Sequence, residues 1–431
     1  MRHLYTALFT LAIPVILLRL VWRGYKAPAY LQRWRERFGY YHNESDKNVI
    51  WFHTVSVGET EAAVPLVRFF LKHNSDRRIL ITTTTPTGSA RVTEVFGDTV
   101  EHVYLPYDLP TIVNRFLAHF KPVIAIIMET EIWPNLYQGC AQNKIPLNIV
   151  NARLSSKSVA GYRLLPSLIK QTLANVHIIA AQTEDDRARF ITLGADISKV
   201  QTTGNIKFDL EIPREIFQRS RKLRQMTFHR RLVWIIASSH KGEEEIFLDL
   251  YKQLKEKFPE LLLVLVPRHP ERFSEVKNLC NKHRLRTILR TANMPCHDAV
   301  DVYLGDTMGE LKLLYAASDI AFVGGSMVPV GGHNILEPAA VGVPVMFGPY
   351  MDNFKDIARG LLDKGAAIQC QDREEIINAF SQLVEDSEQR QRLINQGREF
   401  VLQNQGALGR VGALLSRVLS IKTNNPISRS S

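Results

Sequence analysis

The sequence predicts an α/β protein: two doubly wound, Rossmann-like halves facing each other across a cleft, preceded by an N-terminal apolar helix. Three observations predict this. From residue 49 onward, short β-rich apolar runs alternate with amphipathic helical patterns, the signature of parallel sheets covered by helices on both faces. A polar, basic stretch at 211–231 interrupts the alternation once and leaves two series of similar length. A chain of 431 residues is also too long for one ordinary core.

The first element is the apolar stretch 4–18, continued past Arg19 by Leu20, Val21 and Trp22. The uninterrupted run falls short of the roughly 20 residues of a standard span, but an Arg19 that snorkels lets it reach Trp22. A cleaved signal peptide needs charge before the apolar core and a small-residue site after it. Here the charges lie on the far side, and Ala27-Pro28-Ala29 is a poor cleavage site. A single-pass anchor is favoured over an in-plane amphipathic helix or a helix packed on its own domain. Arg19, Arg23, Lys26, Arg33, Arg35 and Arg37 then hold the rest of the chain on the cytoplasmic side, with Trp22, Tyr25, Tyr30, Trp34 and Phe38 at the interface.

The first series of buried strands reads 49–54, 79–84, 102–105, 123–128, 147–150 and 178–181, with helices such as 58–73 and 110–120 between them. After the 211–231 linker the second series reads 232–237, 261–266, 286–289, 300–304, 320–323, 343–347 and 366–368. Its helices include 243–257, 308–317 and 374–383. The expected organisation is an anchor at 1–22, domains at 23–210 and 232–422, and a polar, Ser-rich flexible tail at 423–431.

Composition narrows the partners. The chain is 45% hydrophobic and 23% charged, as globular proteins are, and carries 54 Lys+Arg against 43 Asp+Glu, a formal +11. No basic run interleaved with stacking aromatics, zinc-finger pattern or RNP-like pattern accompanies that charge. An anionic membrane surface or a phosphorylated substrate therefore fits better than nucleic acid. Four scattered cysteines without a C-x-x-C indicate neither a disulfide framework nor a cysteine zinc site. H-E-x-x-H, D-x-D, a Walker A loop and a G-x-S-x-G elbow are all absent from the sequence.

In open α/β sheets, ligands sit at the carboxyl ends of strands, so the residues there are the candidates. Glu59 follows the first strand after Thr54-Val55-Ser56-Val57-Gly58. It reads as a general base or as an ordinary acidic first-turn residue. Glu129 and Glu131 follow the very apolar strand 123–128, at a rim where partial desolvation raises a carboxyl pKa; one can face the cleft while the other is structural. The hydroxyl-rich loop 82–88 is either a hydrogen-bonding surface or a polar turn. Lys207, after a short strand, can meet a phosphate or a carboxylate, or pair with Asp209 or another acid.

In the second half, Pro267, Arg268 and His269 directly follow a buried strand, and Arg fits a phosphate as a bidentate fork. Met308, Gly309 and Glu310 open another helix, a phosphate-friendly position. The loop 324–338 follows the apolar run 320–323. Its two Gly pairs allow positive φ and close approach, and a helix starting near Asn334 or Ile335 would aim N–H groups at an anion. Glu337 would then sit in the first turn, able to accept from sugar hydroxyls. The alternative is a tight turn with a capping Asn.

Taken together, these segments resemble the bacterial 3-deoxy-D-manno-octulosonic acid (Kdo) transferases of lipopolysaccharide assembly. The resemblance covers essentially the whole chain. It runs in order through Lys26-Ala27-Pro28-Ala29-Tyr30, His53-Thr54-Val55-Ser56-Val57-Gly58-Glu59 and Met128-Glu129-Thr130-Glu131-Ile132-Trp133-Pro134. It continues through Val266-Pro267-Arg268-His269-Pro270-Glu271-Arg272-Phe273, Gly305-Asp306-Thr307-Met308-Gly309-Glu310 and Gly331-Gly332-His333-Asn334-Ile335-Leu336-Glu337.

The resemblance implies a GT-B fold, with the acceptor on the N-terminal half and the nucleotide-sugar donor on the C-terminal half. It also implies metal-independent, inverting transfer of Kdo from CMP-Kdo to the lipid A precursor, lipid IVA, at the bacterial inner membrane. No cofactor and no obligatory protein partner are expected. Glu59 is similar to the general base, and Glu129 and Lys207 to transition-state stabilisers. Pro267, Arg268, Met308, Gly309, Glu310, Asn334, Ile335, Leu336 and Glu337 resemble the CMP-contacting segments. The rival readings are a GT-B enzyme with a UDP-sugar donor and a non-catalytic membrane-surface protein that binds anionic lipid.

Overall fold

In the computed structural model, which describes residues 1–41, 48–74 and 76–423, the chain divides into two units. One is formed by residues 1–209 together with the chain from 405 on, the other by residues 210–404.

The first unit contains α1 (Arg2–Lys26), α2 (Val57–His73), α3 (Pro86–Phe96), α4 (Pro110–Phe120), α5 (Pro134–Gln142), α6 (Ser156–Tyr162), α7 (Pro166–Ala174) and α8 (Glu184–Thr192). They alternate with β1 (Ile50–His53), β2 (Ile79–Thr83), β3 (Glu101–Tyr104), β4 (Ile124–Met128), β5 (Leu147–Ala152), β6 (Val176–Ala181) and β7 (Val200–Thr202). The strands form one sheet in the order β3-β2-β1-β4-β5-β6-β7, with every pairing parallel. Strand alternation sends Trp51 into a core with Phe116 and Tyr137, on the face covered by α4, α5 and α7. Ile50 and Phe52 point the other way, into a core with Leu66 and Phe70 of α2.

The second unit contains β8 (Leu232–Ser239), β9 (Leu261–Pro267), β10 (Thr287–Leu289), β11 (Val302–Leu304), β12 (Ile320–Val323), β13 (Val345–Phe347) and β14 (Ile368–Gln369). They are all parallel, in the order β10-β11-β9-β8-β12-β13-β14. Its helices are α9 (Arg214–Leu223), α10 (Glu243–Lys257), α11 (Phe273–Lys282), α12 (Leu311–Ala316), α13 (Leu336–Val341), α14 (Lys355–Asp363), α15 (Arg373–Glu385) and α16 (Ser387–Asn404). In the first sheet the strand order changes direction between β1 and β4; in the second the chain crosses from one side of β8 to the other at β12, with β11 inserted between β9 and β10. At such a switch point the loops diverge and leave a crevice.

Two boundaries differ from the sequence expectation. The final helix, α17 (Ala407–Thr423), belongs to the first unit rather than to a domain ending at 422. Its apolar stripe, Ala407, Val411, Leu415, Val418 and Leu419, completes the core on the α2 face of the first sheet. Asp209 caps its start, accepting from the Gly406 N–H at 2.6 Å and the Leu408 N–H at 2.6 Å. The flexible tail expected at 423–431 lies outside the described residues, except for Thr423 at the end of α17.

The stretch 211–231, expected as a linker, is instead part of the second unit: α9 runs into a π-helical turn, Arg224–Phe228. Leu223 and Phe228 are core residues. Two of the basic side chains here are structural. Arg224 pairs with Asp319 at 2.8 Å, and the buried Arg231 guanidinium donates to the carbonyls of Glu260, Leu261, His297 and Val300.

The 25-residue α1 is about 37 Å long, enough for a hydrocarbon core of roughly 30 Å. It is the one helix among the described residues long and apolar enough to cross a membrane, with mean hydropathy 2.1. Leu8, Leu11, Val15 and Leu18 stand exposed at helical spacing. At its N-terminal end the Thr6 hydroxyl donates to the Asn135 side chain of α5 at 3.1 Å.

Candidate active site

At the switch point of the first sheet, the loop after β1 leads into α2 through a reciprocal cap. The Ser56 hydroxyl accepts from the Glu59 N–H, and the Glu59 carboxylate accepts from the Val55 N–H at 2.8 Å. That single backbone donor is the only hydrogen bond Glu59 receives among the described residues. Burial outweighs it, and the nearby Glu129 and Glu131 add repulsion, so the Glu59 carboxyl is pushed up to about 8 although Lys207 pulls it down.

Glu129 follows β4 directly and sits at φ 56°, a left-handed conformation that costs a non-glycine residue about 1–2 kcal/mol. The turn is pinned from both sides: the Glu129 N–H donates to the Val150 carbonyl, and the Thr130 hydroxyl donates to the Arg153 carbonyl. The backbone therefore turns after one residue, and the two acids separate. Glu129 faces Lys207, with Nζ to Oε1 at 4.0 Å. Glu131 accepts from the Trp133 indole at 2.8 Å and is pushed up to about 7 by burial.

Lys207 is delivered by a short helical turn, Ile206–Phe208, which Asn205 caps by accepting from the Lys207 N–H. Asn151, in the irregular last part of β5, accepts from the Ile206 N–H through its side chain and fixes that turn to the sheet. Of the alternatives open for Lys207, the structure pairs it with Glu129; Asp209 is occupied by α17. Glu59, Glu129 and Lys207 thus come together, and Glu131 joins them. The hydroxyl-rich loop turns inward instead: Thr84 and Thr85 donate to the Val55 carbonyl and brace the segment before Glu59.

At the switch point of the second sheet, Glu243 opens the first turn of α10, the helix that follows the central strand as α2 follows β1. It is fully buried and accepts from four N–H groups: Gly325 at 2.7 Å, Met327 at 2.9 Å, Ser326 at 3.0 Å and His240 at 2.9 Å. This carboxylate is the anchor of the glycine loop. Gly324 approaches β8 so closely that a Cβ would lie 2.9 Å from the Ser238 carbonyl oxygen, and Gly325 takes φ +66°.

Pro267 ends β9, and the Arg268 N–H donates to Ser239 while its guanidinium has no hydrogen bond or ion pair among the described residues. Its charge is felt by His240 and His333, both held neutral by burial and by Arg268. The ion pair of the buried Glu244 with the half-buried Arg272, Nη1 to Oε1 at 2.5 Å, braces the start of α11.

The helices expected to begin at 308 and 334 start later, and each has only six residues. Gly309 at φ +80° breaks the first, and the Asn334 side chain accepts from the Leu336 N–H to begin the second. Met308 is exposed. The Glu310 carboxylate is held by Arg290 at 3.0 and 3.1 Å and by the Thr307 hydroxyl at 2.7 Å, which keeps its pKa low. Ile335 and Leu336 are fully buried, so only their backbone can meet a ligand. Glu337, in the first turn of α13, lies near Tyr315 of α12.

Sequence reasoning missed Asn151, Glu243 and His240. Glu243 opens an acidic first turn, as many surface helices do, and nothing local distinguishes it. Among the described residues no group of three or more His, Cys, Asp or Glu side chains is arranged to hold a metal ion.

Residues 32–210 match the family described as 3-deoxy-D-manno-octulosonic-acid transferase (kdotransferase), and residues 237–400 match glycosyl transferases group 1. The chain is 42% identical over 421 residues to the 3-deoxy-D-manno-octulosonic acid transferase of Haemophilus influenzae, covering 97% of this chain and 99% of that protein. It is 35% identical to the corresponding protein of Bordetella pertussis, covering 84% and 85%. Among solved structures, UDP-GlcNAc 2-epimerase from Neisseria meningitidis superposes with TM-score 0.53 at 17% identity, covering 87% of this chain and 100% of that one. At that identity the likeness concerns the fold alone, which is GT-B.

Proposed function

The chain belongs to the 3-deoxy-D-manno-octulosonic acid transferase family, and on that premise we propose that it moves Kdo from CMP-Kdo to the lipid A precursor lipid IVA, with inversion and without a metal. The observation that carries the mechanism is the cluster of Glu59, Glu129, Glu131 and Lys207 at the first switch point, with Glu59 pushed up to about 8.

A carboxyl with that pKa is matched to taking a proton from a primary hydroxyl near neutral pH. Glu59 removes the acceptor proton as the oxygen attacks the anomeric carbon. Glu129 stabilises positive character there or positions the acceptor, and Lys207 holds the Kdo carboxylate or the phosphate. On the donor side, Arg268 offers an uncompensated fork to the departing phosphate. Gly309 and the backbone of 334–336 come close to the nucleotide, and Glu337 is the ribose contact. The expected role of Glu310 narrows, because its oxygens already hold Arg290 and Thr307.

The exposed apolar stripe of α1 and the basic residues after it support a single-pass anchor in the inner membrane, with both units on the cytoplasmic face and an anionic lipid surface beside them. Purified protein mixed with CMP-Kdo and lipid IVA should release CMP and yield a product heavier by one or more Kdo residues. CMP, but not UDP, should raise its thermal unfolding midpoint. Protection by UDP and not CMP would replace this reading with a UDP-sugar enzyme. Failure to release CMP would favour the non-catalytic lipid-binding protein.

A further inference from the structure

His240, after β8, and His333, in the glycine loop after β12, meet directly, with Nε2 to Nε2 at 2.7 Å. Their rings are 5° from parallel and their centroids 5.0 Å apart, the separation expected when two imidazoles lie in one plane, end to end across that contact. Such a contact is a nitrogen-to-nitrogen hydrogen bond, so the pair holds one proton between its facing atoms. Gly325 makes the junction possible: a Cβ there would lie 2.9 Å from His333 Cδ2 and 3.4 Å from His240 Cδ2.

The groups facing the pair are almost all cationic or neutral. Arg268 and His269 come from the end of β9, with the His269 ring 5.3 Å from that of His240, and Arg272 stands at the start of α11. From α10 the nearest acid is Glu243, whose oxygens are taken up by four backbone N–H groups, while Glu244 is paired with Arg272. Met351 and Asn353, packed against Gly332 and Gly331, bring no charge. The exposed Glu271 lies 4.0 Å from His269 Nδ1, and among the described residues no acid meets His240 or His333 themselves, which disfavours a second proton until an anion arrives.

We propose that the His240–His333 pair is the proton-uptake device of the donor subsite: it binds one further proton when a nucleotide phosphate docks beside Arg268, and the resulting imidazolium–imidazole pair compensates the charge of the leaving phosphate. This inference rests on reading the second unit as the CMP-sugar-binding half. When the bond from the anomeric carbon to the phosphate oxygen breaks, its electron pair stays on the phosphate, which goes from singly to doubly negative. The acceptor oxygen forms the new bond, and its proton goes to Glu59. The proton on the histidine pair comes from solvent at binding and leaves with CMP. His240 and His333 are thus charge-compensating partners of the phosphate, and the pair prefers ligand at lower pH.

The test is calorimetric titration of the full-length protein with CMP, in buffers of different ionisation enthalpy, above the CMP phosphate's own second ionisation near 6. The expected result is uptake of about one proton per CMP, with affinity falling about tenfold per pH unit on the alkaline side. Cytidine, which lacks the phosphate, should bind without uptake. His240→Gln and His333→Gln should each abolish uptake, flatten the pH dependence and weaken CMP roughly tenfold at neutral pH. The wild-type measurement stands even where a variant fails to fold. CMP binding without uptake, uptake unchanged in both variants, or equal uptake with cytidine overturns the inference and leaves the nucleotide site standing. No binding of CMP by the intact protein overturns both.

Discussion

The two sheets place a glutamate at the same topological position, and the two carboxylates could hardly be treated more differently. Glu59 follows β1 with one backbone donor, two acidic neighbours and a pKa pushed up to about 8. Glu243 follows β8 with four backbone donors that oppose the cost of its burial, although burial still holds its carboxyl above the ordinary value. An under-satisfied carboxylate can still change its proton, whereas a saturated one can only hold its loop. The count of donors around each group, more than its position in the fold, separates chemistry from architecture.

Exchanging demands between the two sites breaks the comparison most directly. Glu59→Gln should lower kcat by roughly 10²–10⁴-fold, read by CMP release. Its stability should be unchanged near pH 4.5 and higher by about 4–5 kcal/mol above pH 8, because ionising a carboxyl whose folded pKa is raised opposes folding. Near-normal turnover would remove Glu59 from the base role. Glu243→Ala should do the reverse. It strands four donors and should cost about 3 kcal/mol or more in denaturant unfolding, with CMP affinity falling because the loop loosens.

A smaller effect sharpens the account of Glu59 itself. The rate should climb as pH rises through about 8, since the base must be deprotonated. Lys207→Met removes a charge that lowers the Glu59 pKa and should move that limb to higher pH. Glu129→Gln removes one that raises it and should move the limb lower; identical pH profiles in both variants would refute the coupling. Smallest is Arg268→Ala. It should weaken CMP about tenfold by calorimetry and leave the unfolding midpoint within a degree or two, because that guanidinium has no hydrogen-bond or ion-pair partner among the described residues to lose.

Much of this was readable in the chain because βα units are local. Each apolar run and the residues just after it determine a strand and its rim, so Glu59, Glu129, Lys207 and Arg268 could be named from position alone. What escaped depends on distant partners. β7, with only three residues, was legible as no more than a short strand before Lys207. The basic 211–231 stretch resembles a linker until Arg231 is seen against four carbonyls. Glu131 and Glu129 are two residues apart, and only the positive φ at Glu129 reveals that they diverge. α17 carries a clear amphipathic stripe, but nothing in the sequence says which sheet it covers.

The capping of α17 by Asp209 has a consequence during synthesis. The sheet that emerges first from the ribosome lacks one wall of its core until residues 407–423 are made, and the whole second unit, 210–404, must be translated in between. At about 5–20 residues per second that interval is roughly 10–40 s, during which Phe52, Leu66 and Phe70 lack their final cover. The N-terminal half, though begun first, is therefore the last to be finished. Truncation just after Asn404 should harm that half more than the second unit, which it leaves whole.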